Sequence, residues 1–123
     1  MDRFVSNRKD VTPSPVEGLF GGAGRFLRIP HYGEQDAPPF TVIAETEMAP
    51  GAYAGLHTQP DQQELLYILE GAGTFRIDGQ QRDVGPGDAI LARAGAEFAL
   101  SNTGSVPLRY LVVKCRTEQR VSS

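Results

Sequence analysis

One stretch of the chain decides how the rest is interpreted: Gly51-Ala-Tyr-Ala-Gly-Leu-His57-Thr-Gln59-Pro-Asp-Gln-Gln-Glu64, followed by Leu-Leu-Tyr-Ile-Leu-Glu-Gly71. Because side chains alternate between the two faces of a strand, His57 and Gln59 project from the same face. Glu64 begins the next apolar run and can join them. An imidazole, an amide and a carboxylate that meet in an apolar interior predict either a metal site or a proton-transfer site.

Bulk composition limits the class of protein. The chain has 123 residues and a net charge of -3, which indicates one domain without a basic stripe for nucleic acid or an anionic membrane. We find neither a signal-peptide pattern at the N-terminus nor an apolar run of bilayer length. The single cysteine, Cys115, cannot form an internal disulfide, so we expect a reducing, cytoplasmic location.

Short apolar runs separated by glycine and proline predict an all-β fold. The runs have strand length and are rich in β-branched and aromatic residues. They span residues 40–44, 65–69, 74–77, 89–92, 98–101 and 108–113. This spacing is typical of an antiparallel sandwich or barrel.

Three turn signals refine this prediction. Glu70-Gly-Ala-Gly73 is interpreted as a tight connection between two paired strands, and Asp78-Gly79 as a second hairpin. Pro86-Gly87-Asp88 indicates a turn into a strand.

The termini differ from the middle of the chain. Residues 1–24 are polar and include Pro13, Pro15 and a cluster of glycines, so we predict a flexible lead-in. No helix pattern follows the glycines, which makes them a weak phosphate-loop signal. A single barrel is expected over 25–116, with its first strand at Arg25–Ile29, and a loose tail over 117–123.

Two motifs resemble those of the cupin superfamily. The first is Gly51-x5-His57-x-Gln59-x4-Glu64-x6-Gly71, where the family usually has His-x-His before the Glu. The second is Gly87-Asp88-x4-Arg93-x-Gly95-x2-Phe98-x3-Asn102, where the family usually has Pro at position 93 and His at position 98. The resemblance covers residues 40 to 114. It implies a small antiparallel double-stranded β-helix (jelly-roll) barrel, commonly a homodimer, with a central pocket.

The resemblance also implies a set of metal ligands. Family members that hold metal use both histidines and the Glu of the first motif and the His of the second. His57 and Glu64 match, Gln59 is a substitute, and Phe98 cannot coordinate a metal. A divalent ion held by His57, Gln59 and Glu64 would be iron, manganese or zinc, with nickel or copper not excluded. Open coordination positions would admit substrate or dioxygen. No organic cofactor is expected.

A metal-free interpretation uses the same residues. With Phe98 as a wall, Glu64 lies in an apolar pocket and exchanges protons with His57 or a substrate, as general acid/base chemistry requires. Gln59 would orient a substrate carbonyl, and Tyr53 is a candidate hydroxyl donor if its strand extends that far. Pocket-lining residues are expected to be Phe98, Leu100, Ile68 and Phe75.

Other polar residues have simpler interpretations. Arg93 is expected on the surface rather than at the barrel mouth over an anionic substrate. His31 is expected in a solvated loop, the alternative being that it supplies the missing ligand. Tyr67 and Tyr110 are expected to pack within strands, and Cys115 has no neighbour that would make it reactive.

Several functions remain open at this point. The leading hypothesis is an enzyme that acts on a small oxygenated organic molecule by oxygenation, isomerisation or cyclisation, or lyase chemistry, with a divalent metal. The alternatives are a metal-free acid/base isomerase or cyclase and a non-catalytic small-ligand-binding module. A structural or interaction domain is a weaker option. A homodimer is expected because small barrels expose sheet edges that a second copy can cover.

Overall fold

Nearly all of the regular secondary structure is β-strand. The computed structural model describes residues 4–117. Within them the chain forms a 3-10 turn at Arg8–Asp10 and ten strands: β1 (Ser14–Glu17), β2 (Arg25–Gly33), β3 (Phe40–Met48), β4 (His57–Thr58), β5 (Gln62–Glu70), β6 (Gly73–Ile77), β7 (Gln80–Val84), β8 (Ala89–Ala92), β9 (Glu97–Ser101) and β10 (Leu108–Arg116). No helix among these residues is long and apolar enough to cross a membrane.

Two antiparallel sheets form the barrel. The larger sheet has the order β1-β2-β3-β10-β5-β8, and the smaller has the order β4-β9-β6-β7. Side chains from both sheets meet in one apolar cluster, for example Leu66 and Ile68 from the larger sheet and Phe75 and Phe98 from the smaller. This confirms the predicted all-β, double-stranded β-helix fold, in which two sheets bury their inner faces against each other.

Strand alternation sets which side chains enter the barrel. Leu66 on β5 and Val112 on β10 are buried register partners. Glu64, two residues before Leu66, and Lys114, two residues after Val112, are also register partners. The period of two therefore places this charged pair on the same inward rows as the apolar core.

The predicted hairpin at Asp78-Gly79 is confirmed. These residues join the paired strands β6 and β7, and both have positive φ, 46° at Asp78 and 81° at Gly79. Left-handed backbone at both central positions is the geometry of a type I′ turn, which matches the twist of the strands. Pro86-Gly87-Asp88 leads into β8 as predicted.

The connection Glu70-Gly-Ala-Gly73 does not join paired strands, so that prediction is wrong. It carries the chain from β5 in the larger sheet to β6 in the smaller sheet. Gly71 has a φ of 89°, and a Cβ there would lie 2.6 Å from the carbonyl oxygen of Pro107. Glycine is required because the chain changes sheets in close contact with another backbone.

The sheet begins earlier than residue 25. Ser14–Glu17 pairs with β2 as an edge strand, so the lead-in predicted over 1–24 contains part of the sheet. Pro15 is compatible with a strand here because an edge strand leaves one side of its backbone unpaired. At the other end, the backbone N–H of Thr117 donates to Asp61, with 3.0 Å between nitrogen and oxygen. The rest of the predicted tail, 118–123, lies outside the described residues.

Candidate functional site

His57 lies on the short strand β4, opposite Phe98 of β9. Its Nδ1 is 2.8 Å from the carbonyl oxygen of Gly55. A carbonyl oxygen only accepts hydrogen bonds, so Nδ1 carries the hydrogen and donates it. In the neutral ring this leaves a lone pair on Nε2. The backbone therefore fixes the tautomer in which Nε2 can accept a proton or bind an electrophile.

The amide of Gln59 lies between His57 and Glu64. Its Nε2 donates to Oε1 of Glu64 across 2.9 Å and lies 3.4 Å from Nε2 of His57. The reverse orientation would bring the amide oxygen against a carboxylate oxygen and a nitrogen lone pair. In the present orientation Oε1 of Gln59 is buried and has no hydrogen-bond partner among residues 4–117. A buried oxygen of this kind indicates an acceptor that is available to a ligand or a water.

Glu64 is 6% exposed and faces a lysine. Nζ of Lys114 lies 3.5 Å from Oε1 of Glu64, the oxygen that also accepts from Gln59. A buried carboxylate needs such partners because desolvation would otherwise disfavour its charge. Lys114 was not identified from the sequence. Its inward position follows from the alternation Leu108, Tyr110, Val112, Lys114, which was the available signal.

Phe20 covers the imidazole and was also missed. Its ring stacks on His57 with 3.7 Å between centroids and 11° between planes, and it is 49% exposed. Nζ of Lys114 lies 5.3 Å from the centroid of the same ring, within cation–π distance. Phe20 has a φ of 53°, which costs a bulky residue about 1–2 kcal/mol. The residue is held in this conformation by its surroundings.

Close backbone packing holds Phe20 in place. The N–H of Gly55 donates to the carbonyl oxygen of Leu19 across 2.8 Å. A Cβ on Gly55 would collide with the carbonyl oxygen of Phe20, and a Cβ on Gly22 would collide with that of Tyr53. Glycines are therefore needed on both segments for this approach. The glycine cluster, a weak phosphate-loop signal in the sequence, is a packing element.

The expected apolar walls are buried. Phe98 packs against His57 with 4.3 Å between ring centroids and against Phe75 with 6.0 Å. Leu100 and Ile68 lie in the same cluster. The imidazole is thus bounded by Phe98 on the barrel side and by Phe20 on the outer side, and two aromatic rings restrict its motion.

Tyr53 does not share a strand row with His57, which corrects the prediction based on parity. Strand β4 begins at His57, and the backbone of Tyr53 forms only isolated bridges to Ala23 and Ser101. Ala52 and Ala54 are buried, whereas Tyr53 is 44% exposed. The strand does not extend back to Tyr53, so the alternation is interrupted at Gly55 and Leu56.

His31 lies in a different cluster, on β2. Its Nε2 is 3.0 Å from Oε2 of Glu45, and its Nδ1 is 2.6 Å from Oγ of Ser6. Burial by itself would raise the pKa of Glu45, but hydrogen bonds from His31, Arg8 and Arg109 outweigh it and lower the pKa. His31 lies on a strand and its side chain is 12% exposed, so the expected solvated loop position is wrong. It anchors the N-terminal segment through Ser6 and is not brought to His57, so the alternative that it supplies a ligand does not hold either.

The remaining polar candidates lie outside the His57 cluster or within the packed core. Tyr110 is buried, and this burial, followed by the negative charge of Glu64, raises the pKa of its hydroxyl. Arg93 and Tyr67 are exposed, and the Sγ of Cys115 lies 3.5 Å from the carbonyl oxygen of Arg116. The buried Tyr110 hydroxyl therefore stays neutral in the physiological range.

The side chains in this arrangement do not fit a divalent ion. An amide nitrogen, which cannot coordinate a metal, occupies the space between His57 Nε2 and Glu64 Oε1. The ammonium of Lys114 already faces the carboxylate, and Phe98 stands where the resemblance implies a fourth ligand. Among the described residues no group of three or more His, Cys, Asp and Glu side chains is placed to hold a metal. The predicted metal ligands thus bond to one another.

Comparison with known proteins identifies the family. The family described as a cupin domain matches residues 44–114. This range is more than half of the chain and contains both motifs, and the chain belongs to this family.

Three comparisons illustrate how far the similarity extends. An oxalate-binding protein of Thermotoga maritima is 28% identical over 112 residues, which are 89% of this chain and 92% of that protein. The crystal structure of a predicted oxalate decarboxylase from Thermotoga maritima has a TM-score of 0.88 at 25% identity, covering 92% of this chain and 99% of the other. The polyketide cyclase RemF from Streptomyces resistomycificus has a TM-score of 0.74 at 24% identity, covering 97% and 85%. The fold is therefore shared over nearly the whole chain.

Proposed function

We propose that this protein is a cupin-type enzyme that acts on a small oxygenated organic molecule by proton transfer at His57, Gln59 and Glu64. One observation carries this proposal. The bond from His57 Nδ1 to the Gly55 carbonyl leaves Nε2 as an acceptor, 3.4 Å from the amide nitrogen that also binds Glu64. A base, a hydrogen-bond donor and a carboxylate thus contact one another inside the barrel.

His57 is the base in this scheme. Its Nε2 takes a proton from a carbon next to a substrate carbonyl. The electron pair of the broken C–H bond forms a C=C bond, and the π pair of the carbonyl moves onto its oxygen to give an enolate. The contact of 3.4 Å with Gln59 is long for a hydrogen bond, so a substrate can displace it. The positive charge that forms on the ring is balanced by the nearby carboxylate of Glu64.

Gln59 and Glu64 position the reacting groups. The amide N–H that leaves His57 can donate to the developing enolate oxygen, while the other N–H remains on Glu64. In an isomerisation the proton on His57 then returns to a different carbon. In an aldol-type cyclisation the enolate carbon instead attacks a second carbonyl carbon of the substrate, and the proton goes to the alkoxide oxygen formed there. In a lyase reaction it goes instead to a group expelled from the neighbouring carbon. All three outcomes share the same first step, so they have one common assay.

Deuterium exchange tests that first step. We would incubate the protein with a panel of small β-keto acids in D2O and follow the loss of α-proton signals by 1H NMR. The wild type should accelerate exchange. The His57→Ala/Glu64→Ala double variant should lose about 100-fold or more of this acceleration, which is the contribution typical of general acid/base catalysis.

Thr58→Ala is the matched control, because Thr58 neighbours His57 on β4 but is exposed. It should exchange at the wild-type rate. Thermal melting must show that the double variant is folded. Wild-type exchange in a folded double variant would eliminate the proposal.

A metal-dependent enzyme is the second candidate, and the buried, unpartnered Oε1 of Gln59 favours it. Rotating the amide by half a turn would present this oxygen beside His57 and Glu64, where iron, manganese or zinc would bind. A metal ion bound to Glu64 would also require the Lys114 ammonium to move away from this carboxylate. Elemental analysis of protein purified without chelator or metal-affinity tag distinguishes the two candidates.

A non-catalytic binding module is the third candidate. Phe98 gives the site an apolar wall that packs against a ligand rather than coordinating a metal. The Thermotoga maritima relative, which is named an oxalate-binding protein, supports binding of a small oxygenated molecule. Saturable binding without any exchange or turnover would favour this candidate over the enzyme.

We also propose that the protein forms a homodimer. The larger sheet ends at β8, and Leu91 on its outer face pairs with Leu65 of β5, both of them exposed. Tyr67 continues this apolar row. An open sheet edge beside uncharged side chains favours pairing with a second copy about a two-fold axis. Light scattering after gel filtration should give a dimer mass for the wild type and a monomer mass for Leu91→Glu.

A further inference from the structure

We propose that Lys114 is the anion-binding residue of this site and that the ligand is a small organic molecule with a carboxylate group. This inference deepens the proposed function, because it assigns a substrate class to the same site. It rests on the position of Lys114, on the N–H donors of its ammonium that have no acceptor, and on its relation to Phe20 and His57.

Lys114 occupies an inward position near the end of β10. It is the register partner of Glu64 on β5 and of Val42 on β3, and it follows the buried Val112 by two residues. Its side chain is 18% exposed. A lysine is almost never placed on an inward row without a charged or hydrogen-bonding partner, because the ammonium loses hydration there.

The ammonium has more donors than its surroundings use. It carries three N–H groups, and within residues 4–117 its only polar contact is the ion pair of 3.5 Å with Oε1 of Glu64. That oxygen already accepts a hydrogen bond of 2.9 Å from Gln59. Two of the three N–H groups of the ammonium thus have no acceptor among residues 4–117. A ligand rich in acceptors satisfies them, and a carboxylate does so best because both partners of the hydrogen bond are then charged.

The geometry connects this ammonium with the proposed base. Nζ of Lys114 lies over the Phe20 ring at 5.3 Å, and that ring stacks on His57 at 3.7 Å. A carboxylate bound to Lys114 would thus lie beside the half-exposed face of Phe20 and close to the imidazole. The anionic end of the ligand would be fixed while its carbon skeleton extends toward Nε2 of His57.

Matched pairs of probes and variants test this assignment. The probes are oxalate, malonate and acetoacetate, each compared with its uncharged amide, and binding is measured by isothermal calorimetry. The chain has two lysines, so Lys9→Met removes the same charge as Lys114→Met from an exposed position in the 3-10 turn. We expect at least one carboxylate to bind and the amides to fail. Lys114→Met should weaken binding about 10-fold or more, which corresponds to one charge-assisted hydrogen bond, and Lys9→Met should leave it unchanged.

A second measurement does not depend on a substitution at Lys114. Reductive methylation with 13C-formaldehyde labels both lysines and the α-amino terminus. Lys9→Met assigns one lysine signal, and the α-amino signal is recognised by its titration near neutral pH. Addition of the carboxylate should shift the Lys114 signal and leave that of Lys9 in place. This NMR measurement tests the inference even if Lys114→Met does not fold. Lys114→Arg should retain affinity within a few-fold, because it keeps the charge and the donors.

The outcomes separate this inference from the proposed function. Equal affinity in wild type and Lys114→Met, equal binding of amides and carboxylates, or no binding of any carboxylate would overturn the inference. Each of these results leaves the proposed function standing if uncharged β-keto amides exchange in the wild type and the His57→Ala/Glu64→Ala variant loses this exchange. If that variant exchanges like the wild type while Lys114→Met loses affinity, the proposed function fails and the anion site stands.

Discussion

The ring of Phe20 lies parallel to the imidazole of His57, with 3.7 Å between their centroids. Phe20 comes from the segment between β1 and β2, whereas His57 is on β4 of the other sheet. The contact therefore joins an N-terminal turn to the centre of the candidate site. Because Phe20 adopts a left-handed backbone conformation, with a φ of 53°, the turn is held in place by its neighbours rather than by its own preference.

Replacing Phe20 tests this stacking directly. In Phe20→Leu we expect the imidazole proton signals of His57 to move downfield, because the ring current of the stacked phenyl group is lost. The chain has two histidines, so the signals can be assigned with a His31→Asn variant. Phe40→Leu, a substitution of another partly exposed phenylalanine, is the control and should leave the His57 signals unchanged. Unchanged His57 signals in Phe20→Leu would contradict the contact.

Metal content tests whether Gln59 and Phe98 account for the poor fit to a divalent ion. We expect wild-type protein purified without chelator or metal-affinity tag to hold only traces of metal. The Gln59→His/Phe98→His variant completes the ligand set that the family resemblance implies and should retain close to one ion per chain after incubation with manganese or zinc. The substitution of buried Phe98 should lower stability by about 1–3 kcal/mol. Near-stoichiometric metal in the wild type that disappears in His57→Ala would instead favour the metal-dependent candidate.

Alkaline unfolding tests the environment of Tyr110. Burial, assisted by the negative charge of Glu64, raises the pKa of its hydroxyl above the ordinary value near 10. Above pH 10 the unfolded state therefore releases a proton that the folded state keeps, so stability falls as the pH rises, by at most about 1.4 kcal/mol per pH unit. Urea unfolding between pH 8 and 11.5 should show a smaller decline in Tyr110→Phe. Parallel declines in both proteins would exclude this cause.

Acid unfolding tests the cluster around Glu45. Its pKa is lowered in the folded protein, because hydrogen bonds from His31, Arg8 and Arg109 outweigh the effect of burial. The stabilisation is therefore complete above the unfolded pKa of about 4.5 and is lost as the pH falls through the folded pKa. Glu45→Gln should be about 1 kcal/mol less stable than the wild type at pH 7, and this difference should shrink at low pH. If the difference in stability between the wild type and Glu45→Gln stayed the same from pH 7 to pH 3, the lowered pKa of Glu45 would be contradicted.

Local patterns in the sequence predicted much of the barrel. The alternation of apolar residues and the glycine and proline turns indicated short antiparallel strands, and the two motifs indicated the family. The turn at Asp78-Gly79 was predicted because its type depends only on the two residues that form it. The Glu70–Gly73 connection was misinterpreted, because a glycine-rich turn does not specify whether the chain stays in one sheet or crosses to the other.

Local sequence was enough to predict most of the strands, although β1 was not among them. The spacing of His57, Gln59 and Glu64 also led us to expect these side chains to converge, because strand periodicity is a property of neighbouring residues. The tertiary structure alone decided what surrounds them. Lys114 reaches Glu64 through the pairing of β10 with β5, and Phe20 reaches His57 because glycines let two distant backbone segments touch. Such contacts depend on strand order and on close packing between segments far apart in the chain, which no local pattern specifies.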